Sequence, residues 1–316
     1  MTLDICCAEQ QLHIKIENSI KGFSDLKKWS KANKIDLQQT FVVMEFTGGY
    51  EYRFIQFCES ISIAYCRISG LEIKRSMGMT RGKSDKVDSF RIGQYGEEKI
   101  KKLEQAKPLD NNVLQLKQLL SFRKRLVRET AGLSATVKER KHIYGSNQKD
   151  PIIKVASEKI KTNQKYVKLI EEEITTLITA NPTMLFNYRI LRSIKGIGPI
   201  NAWMTIAYTE NFVSFTDARK YAVFVGVVSF EHTSGTSVNG KKRISQMANK
   251  ELKQELNQVA KAAITHDAEI RSYAERKLKN KHYKIILNNV KFKLILRMFS
   301  LVKRGELYVE NYRKAA

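Results

Sequence analysis

The sequence predicts an α/β domain followed by helical ones, and three observations carry that reading. Strand-like runs alternate with helical periods over the first ninety-odd residues, strand signals almost vanish from 96 to 184, and basic helices close the chain. The expected domains are 1–98, an α/β layer around a central sheet; 99–184, a helical coiled-coil arm; and 185–316, mainly helical.

Leu3 to Cys6 is a short apolar start, and Leu12 to Ile16 alternates as a half-buried strand should. From Gly22 to Lys34, Phe23, Leu26 and Trp29 recur at helical spacing. Phe41 to Glu45 is a β-branched run suited to a buried strand and stopped by Gly48 and Gly49. Tyr52 to Ile61 is helical again, and a strand follows to Ile68. In the arm, Val113, Leu116, Leu120 and Val127 keep one face apolar. After a break at Tyr144 to Pro151, Ile160, Val167, Ile170, Ile174 and Leu177 fall on a near-heptad stripe. Two antiparallel helices are expected there, with Pro151 in the first turn of the second. Asn181 and Pro182 mark a boundary, and a long basic helical tail is expected from Asn249 to Arg304.

Composition narrows the function. The net charge is +24, and residues 241–316 alone hold 19 Lys and Arg against 7 Asp and Glu, a surplus of 12. Such a surplus repels itself in a compact state, and a polyanion is its usual partner; nucleic acid fits best. Cys6, Cys7, Cys58 and Cys66 show no paired metal-ligand spacing and read as free thiols of a reducing compartment. Acidic Asp4 stands where a signal peptide would be basic, and no apolar run reaches the roughly 20 residues a bilayer needs. A soluble intracellular protein with no membrane partner is expected.

Three constellations can carry chemistry. In KSDKVD, Asp85 and Asp88 are three apart and share one face of a helix, where their repulsion favours a cation between them. Flanking Lys83 and Lys86 allow a solvated, ion-paired face instead. Glu45 ends a buried-looking strand, where a carboxylate is costly without a partner, and Asp4 interrupts an apolar one. Acidic side chains so placed suit a two-metal phosphodiester site, with Mg²⁺ or Mn²⁺ on oxygen ligands. The second constellation is IKGIGP, Ile194 to Pro199, where Lys195, Gly196 and Gly198 fit a helix-hairpin-helix turn that presents backbone N–H groups to phosphate. The third is Ser234 beside Gly235 in HTSG, followed by the basic run Lys241, Lys242, Arg243. By itself Ser234 is an ordinary loop serine, and His232 beside it an incidental neighbour.

Taken together, LDIC, VVMEFTGGY, RGKSDKVDSFRI, LRSIKGIGPINA and the SG of HTSG, in this order and spacing, resemble the transposases of the IS110 and IS1111 insertion sequences over nearly the whole length. The resemblance implies an RNase H-like (RuvC-like) DEDD domain with Asp4, Glu45, Asp85 and Asp88 as metal ligands. It also implies that Ser234 attacks the scissile phosphate and forms a covalent phosphoserine link. The implied partners are donor and target double-stranded DNA, a structured guide (bridge) RNA from the element itself, and further copies of the chain in dimers or tetramers. The implied location is the prokaryotic cytoplasm, at the nucleoid. Delegating sequence reading to base pairing leaves the protein to read shape and backbone, which agrees with the charge. The chain departs from the family pattern at Cys6-Cys7 after the first Asp, at Gly226 to Ser229 without proline, and at ISQMAN, Ile244 to Asn249. Two other readings use the same residues: a metal-dependent junction nuclease with water as attacker, and an inactive nucleic-acid-binding protein.

Overall fold

The computed structural model describes residues 1–76, 84–108, 110–145, 150–234 and 238–310; in 230–234 and 238–243 only the backbone is described. Mostly helical with small sheets, the chain divides into two compact units, Met1–Pro108 and Leu109–Ala316.

In the first unit, β1 (Thr2–Cys7) and β2 (Leu12–Glu17) form an antiparallel hairpin in which Asp4 lies opposite Lys15 and Cys6 opposite His13. Helix α1 (Ile20–Ala32) starts on Ser19, whose side chain accepts from the Gly22 N–H. Strand β3 (Phe41–Glu45) runs parallel to β4 (Ala64–Ile68), with α2 (Tyr52–Ser60) between them in sequence. Phe23 of α1 stacks on Phe57 of α2, with ring centroids 4.9 Å apart, and Phe54 completes the cluster. A short helix α3 (Gly70–Ser76) follows, and then α4 (Asp85–Lys99).

The expected central sheet is not what forms. Among the described residues β1–β2 and β3–β4 are separate two-stranded sheets, and α4 lies against both. A Cβ on Gly93 would stand 3.0 Å from the Cys6 sulfur, and one on Gly96 would stand 2.8 Å from Val43. Glycine therefore lets one helix sit close to two strand pairs that exchange no hydrogen bonds with each other. Burial follows: Met44 is the only fully buried residue of β3, while Tyr65 and Cys66 of β4 are buried.

The second unit begins with α5 (Asn111–Tyr144) and α6 (Pro151–Ala180), 34 and 30 residues long, packed on each other as a hairpin. Pro151 occupies the first turn of α6, and Asp150 caps it. Val113, Leu116, Leu120, Ile174 and Ile178, at the base of the hairpin, are buried in one core with the helices that follow. Val127, expected on the apolar face, is exposed. Asn181 ends α6, and its side chain caps α7 (Pro182–Ser193) by accepting from the Met184 N–H.

Helices α8 (Pro199–Thr209) and α9 (Ala218–Val225) lead to an antiparallel pair, β5 (Phe230–Ser234) and β6 (Val238–Arg243). The expected basic tail is three helices, α10 (Lys250–His266), α11 (Ala268–Leu278) and α12 (Tyr283–Arg304). Asp267 divides the first two: it ends α10 and its side chain accepts from the Ile270 N–H of α11. Helix α12 packs into the core, with Ile286, Val290, Leu294, Ile295 and Met298 all buried.

Candidate active site

Asp4 emerges on the β1–β2 face that carries Cys6, His13 and Lys15. Its side chain is only 9% exposed, with Oδ1 at 3.0 Å from His13 Nε2 and Oδ2 at 3.6 Å from Lys15 Nζ. Helix α4 covers this face. The Cys6 thiol donates to the Ser89 carbonyl at 3.0 Å, and the His13 ring lies 6.1 Å from that of Phe90. Gly93 meets Ala8 and Cys6, and Ser89 meets Cys6, so the N-terminal turn of α4 runs toward the Asp4 end of β1.

That turn holds Asp85 and Asp88. Ser84 caps it by accepting from the Val87 N–H at 3.2 Å. Two carboxylates in a first turn suit the positive end of the helix dipole. Asp88 is bound by Arg91 Nη1 at 2.9 Å, whereas Asp85 and Lys86 are exposed. Lys83 lies outside the described residues.

Glu45 closes β3, but it is exposed, not buried as its strand setting suggested. At the strand's last residue the chain leaves the sheet, and the carboxylate lies over Gly70 at the start of α3. A Cβ on Gly70 would come within 1.9 Å of Glu45 Oε1. The buried carboxylate of this corner is Glu51, 6% exposed. Its Oε2 accepts from the Thr47 hydroxyl at 2.7 Å and from the Gly49 N–H at 2.9 Å, and Arg67 stands 3.9 Å from Oε1. Burial pushes the Glu51 pKa up, but these donors and the Arg67 charge outweigh it and hold the group below its ordinary value. Gly48 and Gly49, at φ +80° and +127°, make the turn that lets Thr47 and Gly49 face Glu51. Sequence reasoning missed Glu51, Gly70 and Arg91. The hairpin register, which sets Lys15 opposite Asp4, was the one available signal for a cation at that carboxylate.

Oxygen-only donors suit a hard divalent cation. In this conformation, however, Asp4 and Asp88 each have a basic side chain of the protein as counter-charge. Among the described residues, no three acidic, His or Cys side chains form a metal-binding group.

In the second unit, α7, the turn at Ile194 to Gly198 and α8 form a helical hairpin. Gly196 has φ +92°, and a Cβ there would meet the Ala263 N of α10 at 2.7 Å, so this glycine serves close packing as well as the turn. Gly198 precedes α8 with open space around it, and no side chain caps that helix. Lys195 is paired with Glu310. Ser234 ends β5 opposite Val238. The side chains of Ser234, His232, Lys241, Lys242 and Arg243 lie outside the described residues, as does Gly235.

Two family models match the chain. One, described as transposase and built on the DEDD domain of the IS110 group, covers residues 6–139. The other, described as transposase IS116/IS110/IS902 family, covers residues 188–275. The chain belongs to the IS110 family of transposases. An IS110-family transposase is a DNA transposase/recombinase, so DNA is its substrate, and the DEDD domain points to dependence on a divalent metal. Glu45, Asp85 and Asp88 fall within the first match and Ser234 within the second, while Asp4 stands two residues before the first begins. Comparison with curated proteins gives no match. Among the described residues, no helix is long and apolar enough to cross a membrane.

Proposed function

We propose that this transposase exchanges DNA strands of its insertion sequence through a covalent link to Ser234. Asp4, Glu45, Asp85 and Asp88 of an RNase H-like first unit would hold Mg²⁺ or Mn²⁺. The observation that carries the reading is the succession of the two family matches, one spanning three of the carboxylates and the other the serine. The bound cation supplies charge stabilisation at the phosphate oxygens. The Ser234 hydroxyl attacks phosphorus, forming an O–P bond as the bond to one sugar oxygen breaks. The serine gives up its proton and the departing sugar hydroxyl gains one. Because the phosphodiester energy is kept in the serine ester, a second strand end can reverse the step without a nucleotide cofactor.

Lys195, Gly196 and Gly198, with Lys83, Lys86, Lys241, Lys242 and Arg243, would contact the nucleic-acid backbone. A structured guide RNA would choose donor and target sequence by base pairing. Dimers or tetramers are part of the proposal. Ile143, Tyr144, Ile152, Val155, Tyr166 and Leu169, exposed along α5 and α6, are apolar surface for a second copy. Incubation with element-end DNA and Mg²⁺ tests the reading. Strand cleavage should accumulate a protein–DNA adduct in the wild type and none in Ser234→Ala. Cleavage retained in Ser234→Ala, with no adduct ever trapped, would make water the attacker.

A further inference from the structure

Lys291 lies in the middle of α12 with only 3% of its surface exposed. Lys253, one turn into α10, is half-buried. Among the described residues neither side chain has an ion pair or a hydrogen bond, although buried ammonium groups are normally paired. Burial first, and the charge of Lys253 second, pull the Lys291 pKa down to about 8; burial lowers that of Lys253 as well. The two cations therefore stand in each other's field, and among the described residues neither has an acidic partner.

Both helices are tied to one short segment of chain. The Lys253 Cδ lies 3.9 Å from where a Cβ on Gly226 would stand. Asn288, three residues before Lys291 and so on the same face of α12, donates Nδ2 to the Val227 carbonyl at 2.7 Å. Asn249, which caps α10, donates its backbone N–H to the Phe224 carbonyl at 2.8 Å. Gly226 itself takes φ +75° and would clash with Ala248 if it carried a Cβ, so the turn is pressed against the start of α10. Four residues after Gly226 the chain enters β5, which ends at Ser234. These two lysines thus stand at the root of the hairpin that bears the proposed nucleophile.

We propose that Lys253 and Lys291 form a seat for one nucleic-acid phosphate at the root of the β5–β6 hairpin, the phosphodiester supplying the counter-charge that no described residue gives them. Lys253, the more exposed of the two, makes the contact, and Lys291 behind it strengthens the field. The seat rests on nucleic acid being the substrate and is independent of Ser234 as nucleophile.

The full chain is tested with inorganic phosphate, a short DNA duplex and a short RNA duplex. At equal ionic strength, phosphate should raise the wild-type Tm above its value in chloride. The double variant Lys253→Met, Lys291→Met should lose that difference. The variant should also bind the seated nucleic acid more weakly, with the slope of log K against log salt flatter by about 0.9, the share of one neutralised phosphate. Loss on the DNA duplex places a DNA phosphate in the seat, and loss on RNA alone places the guide there; both support it. A merely structural pair would move Tm and leave the slopes alone, and unchanged slopes or equal phosphate protection in wild type and variant overturn the seat. A wild-type chain that binds neither nucleic acid overturns the functional reading with it. Lys253→Met alone, at the more exposed position, gives the same comparison if the double variant does not fold.

Discussion

At Glu45 and Gly70, the lack of a side chain on glycine leaves the space that a carboxylate oxygen occupies. A side chain on Gly70 needs the space that Glu45 Oε1 occupies, so Gly70→Ala is expected to turn the Glu45 carboxylate away. Alanine is a better helix former than glycine, so the local backbone loses nothing by the change. Adduct formation should fall at least tenfold while Tm stays within a few degrees of the wild type; activity and melting measured on one sample check this. Glu51 makes a different prediction. Its folded pKa is lowered, so it stabilises the first unit fully above the unfolded glutamate value of about 4.3 and progressively less as pH falls through the folded value. Glu51→Gln should cost roughly 1–3 kcal/mol at neutral pH and flatten the loss of stability below about pH 5. Denaturant melts of both proteins at pH 4 and 7 read the difference. The buried Cys58 and Cys66 thiols, pushed up by burial to about 12 and about 11, stay protonated at neutral pH, as free structural cysteines should.

At the scale of elements, the α7–α8 hairpin depends on Gly196 and the α10–α11 corner on Asp267. Gly196→Ala combines a left-handed backbone with a Cβ 2.7 Å from the α10 backbone. It should cost about 2–4 kcal/mol, visible as a lower urea midpoint, and an unchanged midpoint would show that α10 simply gives way. Asp267, 1% exposed, is held at 2.6 Å by Arg297 and at 3.2 Å by the Tyr308 hydroxyl. Burial works against its ionisation, but the Ile270 N–H and Arg297 prevail and its pKa is lowered. Asp267→Ala strands a buried guanidinium and should cost about 3–5 kcal/mol. Most of these elements were legible from spacing: the strands of the first unit, the long hairpin with its proline start, and the helical turn around IKGIGP. The joins were not. Asp267 reads as one more charged residue in a basic stretch until both of its capping roles are seen, and the depth of α12 is masked by Lys291, a lysine on a face that proves to be core. The separation of the sheets was equally hidden, since strand pairing between β1 and β3 depends on distant residues and not on local pattern.

On the scale of the whole molecule, a net charge of +24 and two family matches in sequence make a DNA-handling enzyme in which acidic side chains and a serine lie far apart along the chain. Asp4 and Glu45 stand out in the sequence as acids in apolar runs, and Asp85 and Asp88 as a helical i, i+3 pair. Their present partners do not, because His13, Lys15 and Arg91 reach Asp4 and Asp88 only through strand register and helix spacing. The bulk charge predicts that binding to non-specific duplex DNA falls steeply with salt, and a weak salt dependence would exclude an extended phosphate-contacting surface. The proposed chemistry is decided most directly by the bond between protein and DNA. Adducts trapped on element-end DNA, digested and mapped by mass spectrometry, should carry the nucleotide on the peptide containing Ser234, and Ser234→Ala should form none. Mapping of the link to any other residue, or full strand transfer by Ser234→Ala, would contradict a serine-linked exchange.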